Sequence, residues 1–321
     1  MKPFKTYRQQ LKILRDRGLS INNGSKAMRI LEQENYYSLI NGYKDLFLQK
    51  NNNKIPILPE KYVQGSSLEE IYALYCFDRD LRSILLKEIL KFESSIKSKL
   101  SYHFSQAYKE PNAYLNMLNY SREPSKLKQI LKLIAVISNE ISKNSNRDNP
   151  IKHYLDNHDG VPLWVLVKYL TLGNIQNFYE CTNSSIQNEI AKDFSIAYSR
   201  DYGISIHFTS DMLINILKTA TLFRNVCAHE ERLYNFRLYK PAKTKNISDI
   251  TRIPISLLNS GNLFTMTVFL KLVISKKDYV SFVKCLKELS TRYSSKFSSV
   301  SINEVFKTMG FENGWYEDLV L

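Results

Sequence analysis

The chain has 321 residues, 44% of them apolar and 12% aromatic, which suffices for one large or two modest cores and excludes a disordered chain. Lysine and arginine total 45 against 31 aspartates and glutamates, a net charge of +14. Such an excess points to a polyanionic partner, RNA or DNA before an anionic membrane; the competing account is a host bias toward Lys and Asn.

The N-terminal stretch MKPFKTYRQQL is basic but lacks an apolar run and a cleavage site, so no signal peptide is expected. An amphipathic helix fits residues 5–17, with Tyr7, Leu11 and Leu14 on one side, and a second fits 25–40, carrying Ile30, Leu31 and the pair Tyr36-Tyr37. Gly42 breaks it before Tyr43 and Phe47. Residues 49–65, with two prolines and an asparagine run, read as a long irregular connection, so residues 1–60 are expected to form a small helical N-terminal region and 61–321 the main helical domain.

Ser67 and Glu70 have capping-box spacing and open the longest helical pattern, which runs to about residue 107. Leu74, Phe77, Leu81, Leu85, Ile89, Phe92, Ile96 and Leu100 form an apolar stripe along it. Asp78 and Arg82, four apart on this helix, read as an ordinary surface ion pair. Pro124 starts a helix over 125–142, and 143–162 is polar and turn-rich. Residues 161–173 read as a buried helix stopped by Gly173, although their apolar density also suits a strand. Further helices fill 174–200 and 210–228, a basic loop covers 240–254, and three amphipathic helices fill 261–310. No repeat, hairpin turn or glycine-rich phosphate loop is legible. The fold class is therefore all-α. The most apolar segment, 263–275, is too short to span a bilayer and contains Lys271, so the expectation is a soluble, cytoplasmic protein without a membrane partner. The four cysteines, Cys76, Cys181, Cys227 and Cys285, have no metal spacing and sit in apolar-periodic segments, so they read as free buried thiols in a reducing cytosol.

The most informative stretch is Leu222–Asn235. The periodic run before it, with Leu213, Ile216, Ala220, Phe223 and Cys227 at helical spacing, ends in Arg224, Asn225 and His229. Histidine gives or takes a proton near neutral pH, and a guanidinium keeps its charge and fits a phosphate in bidentate fashion. Together they are a minimal kit for cleaving an RNA phosphodiester with no metal and no cofactor. On an unbroken helix, residues five apart lie about 140° apart, so Arg224 and His229 converge only if the helix ends or bends near Ala228. The alternative is an arginine paired with Glu230 or Glu231 and a histidine at a helix end. Arg232, Arg237, Lys240, Lys243 and Lys245 follow directly and suit an RNA backbone, a solvated basic loop being the other account. Tyr36, Tyr37 and Tyr43 suit base stacking or the core.

RNVCAHEERLYN (224–235) resembles the signature of the Abi-like (AbiD/AbiF) abortive-infection proteins, a branch of the HEPN superfamily of helical ribonucleases. QENYYSLINGYKDLF (33–47), SLEEIYALYCFDRDLRSILLKEILKFE (67–93) and VPLWVLVKYLTLGNIQNFY (161–179) resemble further blocks of that family in the same order. The resemblance implies a HEPN-type helical bundle with extra helices at both ends. It implies a metal-independent endoribonuclease of a phage-defence or toxin–antitoxin system, with its site shared across a homodimer. His229 would be the acid or base, Arg224 would steady charge on the phosphate, and Asn225 would orient the histidine or donate to the phosphate. It also leaves Asp78 and Arg82 a place beside the active cleft. A non-catalytic regulator that holds a structured small RNA on the same scaffold is the alternative, and arrest by protein–protein contact is a third.

Overall fold

A computed structural model describes residues 3–241 and 243–320; Met1 and Lys2 of the basic N-terminal stretch, Ala242 of the basic loop, and Leu321 lie outside the described residues. The described residues are helical throughout, with only isolated β-bridges, so the all-α expectation holds. No helix among them is long and apolar enough to cross a membrane.

Asparagine, serine and threonine start most of the helices, because their short oxygen-bearing side chains accept the first free backbone N–H groups. Helix α1 (Tyr7–Asp16) begins with a reciprocal box between Thr6 and Gln9, and α2 (Gly24–Gln33) with Asn23 accepting from Lys26 N. The expected helix over 25–40 is interrupted. Asn35 Oδ1 accepts from the backbone N–H groups of Tyr37 and Ser38, which starts a separate π-helical turn, Tyr37–Asn41. The connection that follows is not slack. Antiparallel bridges join Leu48 to Tyr62 and Lys50 to Pro56, and Glu60 pairs with both Arg17 and Lys44 at 2.7 Å.

Helix α3 (Leu68–Ala107) is the longest element, and every member of the stripe read from Leu74 to Leu100 is fully buried. Each such side chain contributes about 2 kcal/mol of apolar burial. Next come α4 (Leu127–Asn144), α5 (Pro150–Asn157) and the single turn α6 (Leu163–Leu166). The stretch expected to form one buried helix ending at Gly173 is instead broken in two. The chain leaves the helix at Leu170, and Thr171 caps a new one, α7 (Leu172–Cys181), with Gly173 inside its first turn and Trp164 57% exposed. Helices α8 (Ser184–Tyr202) and α9 (Ser210–Ala228) follow, then α10 (Lys245–Thr251), α11 (Ile255–Leu258) and α12 (Leu263–Lys271). The chain closes with α13 (Lys276–Ser294), α14 (Ile302–Thr308) and α15 (Trp315–Val320).

These elements form two compact units. The first holds residues 1–85, 229–236 and 281–321; the second holds 86–228 and 237–280. In the first, Phe77 meets Tyr293 and Phe306 edge-on, and Phe306 stacks on Trp315. In the second, α7 packs on α4 and α9, with Phe104, Tyr120 and Phe178 as an aromatic cluster. No cysteine forms a disulfide; Cys181 and Cys227 are buried as expected, but Cys76 and Cys285 are only half-buried, and burial pushes the Cys181 thiol up to about 12.

The predicted capping box at Ser67 forms, and it has a second task. Glu70 Oε2 accepts from Ser67 N, while Oε1 accepts from Ser298 N and Ser299 N, both at 2.7 Å. Burial raises the Glu70 carboxyl, but the backbone donors of Ser299, Ser298 and Ser67 outweigh it and hold the group below its ordinary value. A carboxylate whose folded value is depressed stabilises the fold at every pH above the ordinary glutamate range, and that contribution fades as pH falls through the folded value. Glu70→Gln is therefore expected to cost about 2 kcal/mol in denaturant unfolding at neutral pH, and distinctly less near pH 3. A loss independent of pH would show that the charge has no part in it.

Candidate active site

The segment after α9 has no regular structure of its own; buried groups on α3 hold it. Asp78 is fully buried and Arg82 only 5% exposed, which overturns their reading as a surface pair. Asp78 Oδ2 accepts from Arg82 Nη1 at 2.8 Å, from the Tyr43 hydroxyl at 2.8 Å and from Leu233 N at 3.0 Å, and Oδ1 accepts from Tyr234 N at 2.7 Å. Arg82 Nη1 also donates to the carbonyl of Glu231 at 3.3 Å. Two side chains four apart on one helix thus fix the backbone from Glu231 to Tyr234. Burial pushes the Asp78 carboxyl up, while the N–H of Leu233, the Tyr43 hydroxyl and the Arg82 guanidinium work against it by favouring its charge. Burial first, then the neighbouring Asp78 charge, holds the Tyr43 hydroxyl protonated far above its ordinary range.

Tyr43 therefore belongs to the core. Its ring stacks on Tyr234 with centroids 5.6 Å apart and meets Tyr75 edge-on at 5.4 Å. Tyr36 is half-buried and Tyr37 is 73% exposed, so of the three tyrosines Tyr37 offers the most open ring. Arg232, from the same segment, donates to the Gly42 carbonyl at 2.7 Å and lies 3.8 Å from Asp45. His229 and Glu230 form the turn that leads into this clamped segment. Both are exposed, and Glu230 adopts the left-handed backbone with φ +56°.

In the second unit, the stripe read along α9 is buried as expected: Leu213, Ile216, Ala220, Phe223 and Cys227 all face the core. Helix α9 ends at Ala228, so the regular repeat that would set residues five apart at about 140° stops before His229. Arg224 and Asn225 occupy the last turn. Asn225 is exposed and Arg224 half-buried, and the Arg224 Nε is buried without a hydrogen-bond partner among the described residues. A buried donor left unpaired costs about 1–3 kcal/mol, so its retention calls for a reason. Arg237, Lys240, Lys243 and Lys245 are exposed, and the three lysines share one cleft. Among the described residues no three His, Cys, Asp or Glu side chains gather so as to hold a metal ion.

The clamp was partly legible in the sequence. Asp78 follows Phe77 and stands four residues after Leu74 and three before Leu81, on the edge of the buried stripe, which is where a charge is either paired inward or excluded. What α3 would clamp, more than 150 residues later, no spacing could show.

These features define an all-helical protein whose longest core helix secures the segment following a helix-terminal Arg-Asn and a His. The family model of the Abi-like proteins matches residues 29–235, well over half of the chain, and the chain belongs to that family. Abortive infection, a form of phage defence, is the setting that membership implies. The matched span contains all four sequence blocks, the Asp78–Arg82 clamp and the Arg224–His229 stretch. No curated protein and no solved structure matches the chain.

Proposed function

We propose that the protein is a metal-independent endoribonuclease of the HEPN type that acts in the cytoplasm in phage defence, as a toxin restrained until infection. The observation that carries this reading is the use of a buried ion pair, Asp78–Arg82, to secure the backbone from two to five residues beyond His229. A surface loop gains nothing from so costly an anchor, whereas a histidine that must meet a reacting atom does.

In the proposed reaction the 2′-oxygen of a ribose attacks the adjacent phosphorus and the bond from phosphorus to the 5′-oxygen breaks. His229 takes the proton from the 2′-hydroxyl or returns one to the leaving 5′-oxygen. Two chains in a homodimer supply two such histidines, one for each transfer. Arg224 faces the charge that grows on the non-bridging oxygens, and Asn225 orients the imidazole or donates to the phosphate. The products are a 2′,3′-cyclic phosphate and a 5′-hydroxyl. DNA has no 2′-hydroxyl and is expected to bind without being cut.

Incubation of the protein with labelled single-stranded RNA in EDTA, followed by end-group analysis, tests this. Cleavage that persists in EDTA and leaves cyclic-phosphate ends is expected, from a species with twice the 37.5 kDa chain mass by light scattering. Cleavage abolished by EDTA would overturn the mechanism, and a monomer that still cuts would overturn the shared site. Tight binding without any cleavage would favour a regulator that holds an RNA.

A further inference from the structure

The second unit carries a cleft of about 640 Å³ that the sequence pattern foreshadowed only in part. Lys240, Lys243 and Lys245 line it, as the basic loop suggested, but so do Lys126 from the turn before α4 and Lys218 from α9. Five ammonium groups from three separated stretches of chain thus face one concavity. The two acids lining it, Glu180 and Asp211, leave a clear positive excess, although Glu180 lies 3.3 Å from Lys218.

The loop that carries the lysines is built rather than slack. Leu238 N donates to the Gly261 carbonyl at 2.9 Å, and Gly261 has φ +59°, where a Cβ would come within 3.0 Å of Leu238. Thr244 is buried between the exposed Lys243 and Lys245, and Asn215 on α9 donates to the Lys243 carbonyl. Tyr239, between two lining residues, is 95% exposed, so its ring is open to a ligand.

The floor of the cleft leads along α9 toward Asn225. Asp211, Asn215, Lys218 and Leu222 line it and follow one another at steps of three and four along α9. Asn225 is the next member of the same stripe, all five falling within about 80° of the helix circumference. Lys218 and Asn225 are thus about 10 Å apart along one face.

We infer that this cleft holds an unpaired RNA strand by its phosphates, with Tyr239 stacking one of its bases, and delivers it along α9 to Asn225. The inference rests on the reading of the protein as one that acts on RNA. Duplex RNA presents no free base face to Tyr239, so single strands are the ligand the site selects.

The test uses the full-length protein with His229→Ala, so that the probe is not consumed, and a short fluorescein-labelled single-stranded RNA of mixed sequence. Lys126→Ala/Lys218→Ala is compared with Lys192→Ala/Lys277→Ala, exposed lysines that do not line the cleft. Each lysine that meets a phosphate of a single strand adds about 0.7 to the log–log salt slope of affinity. The cleft pair is expected to lower that slope by about 1.4 and the control pair to leave it unchanged. Tyr239→Ala is expected to weaken single-strand binding about tenfold without changing the slope, and to leave binding of a duplex probe unaltered. Equal effects of the two lysine pairs, no effect of either, or no binding of the probe would overturn the inference. Cleavage by the protein with His229 intact is scored separately: its absence defeats the nuclease reading while leaving the cleft result standing.

Discussion

Replacing His229 with alanine is expected to lower RNA cleavage by at least a hundredfold, and up to about ten-thousandfold, with RNA affinity and unfolding midpoint unchanged. The side chain is exposed and lies in a turn, so its removal opens no cavity and exposes no buried partner. The backbone beyond it stays fixed by Asp78 and Arg82, which do not depend on the imidazole. The loss should therefore appear in kcat and not in the apparent affinity, as expected for a group that acts on a proton in flight. Single-turnover cleavage of a labelled RNA, run beside a denaturant melt, measures both. A variant that cuts at the native rate would remove His229 from the mechanism, and a variant that fails to fold would contradict its exposed position.

Asp78→Ala is expected to have the opposite profile, a large loss of stability. Four donors converge on this carboxylate, two of them backbone N–H groups, and the side chain is fully buried. Alanine leaves the Arg82 guanidinium, 5% exposed, without its anion, and breaking a buried pair from one side costs about 3–5 kcal/mol. The Leu233 and Tyr234 N–H groups lose their acceptor at the same time. Urea unfolding should report the loss, and limited proteolysis should show new cleavage between residues 229 and 236 under conditions where the native chain resists. Arg82→Met, which removes the charge while keeping a long apolar stem, should open the same segment by releasing the Glu231 carbonyl. Unchanged protease resistance in both variants would show that the segment holds itself. Cleavage activity should fall in both, for loss of position and not of chemistry, and His229→Ala separates the two causes.

The local pattern of this chain announced its helices well. Leu74 to Leu100 recur at three and four residues and every one is buried, and Ser67 and Glu70 form the box their spacing predicts. The stripe of α9 and the apolar faces of α13 and α14 follow the same rule, whereas α12, expected to be amphipathic, is buried on every side from Leu263 to Leu270. Local reading failed where one polar side chain redirected the backbone. The backbone turns extended at Glu34 and Asn35 starts a new turn, and Thr171 starts a helix where Gly173 had suggested a stop. It failed again at Asp78 and Arg82, because a pair at four-residue spacing looks the same whether it faces water or a neighbouring segment.

Composition and periodicity determined by themselves that the chain is helical and basic, and which faces of its helices are apolar, because those properties repeat over a few residues. The order of its motifs pointed to the Abi-like family. Only the tertiary structure decided which polar groups are buried, what they hold, and that lysines from residues 126, 218 and 240–245 line one cleft. Such groupings join positions tens to more than a hundred residues apart, and the burial that makes their charges matter exists only once the distant segments have packed.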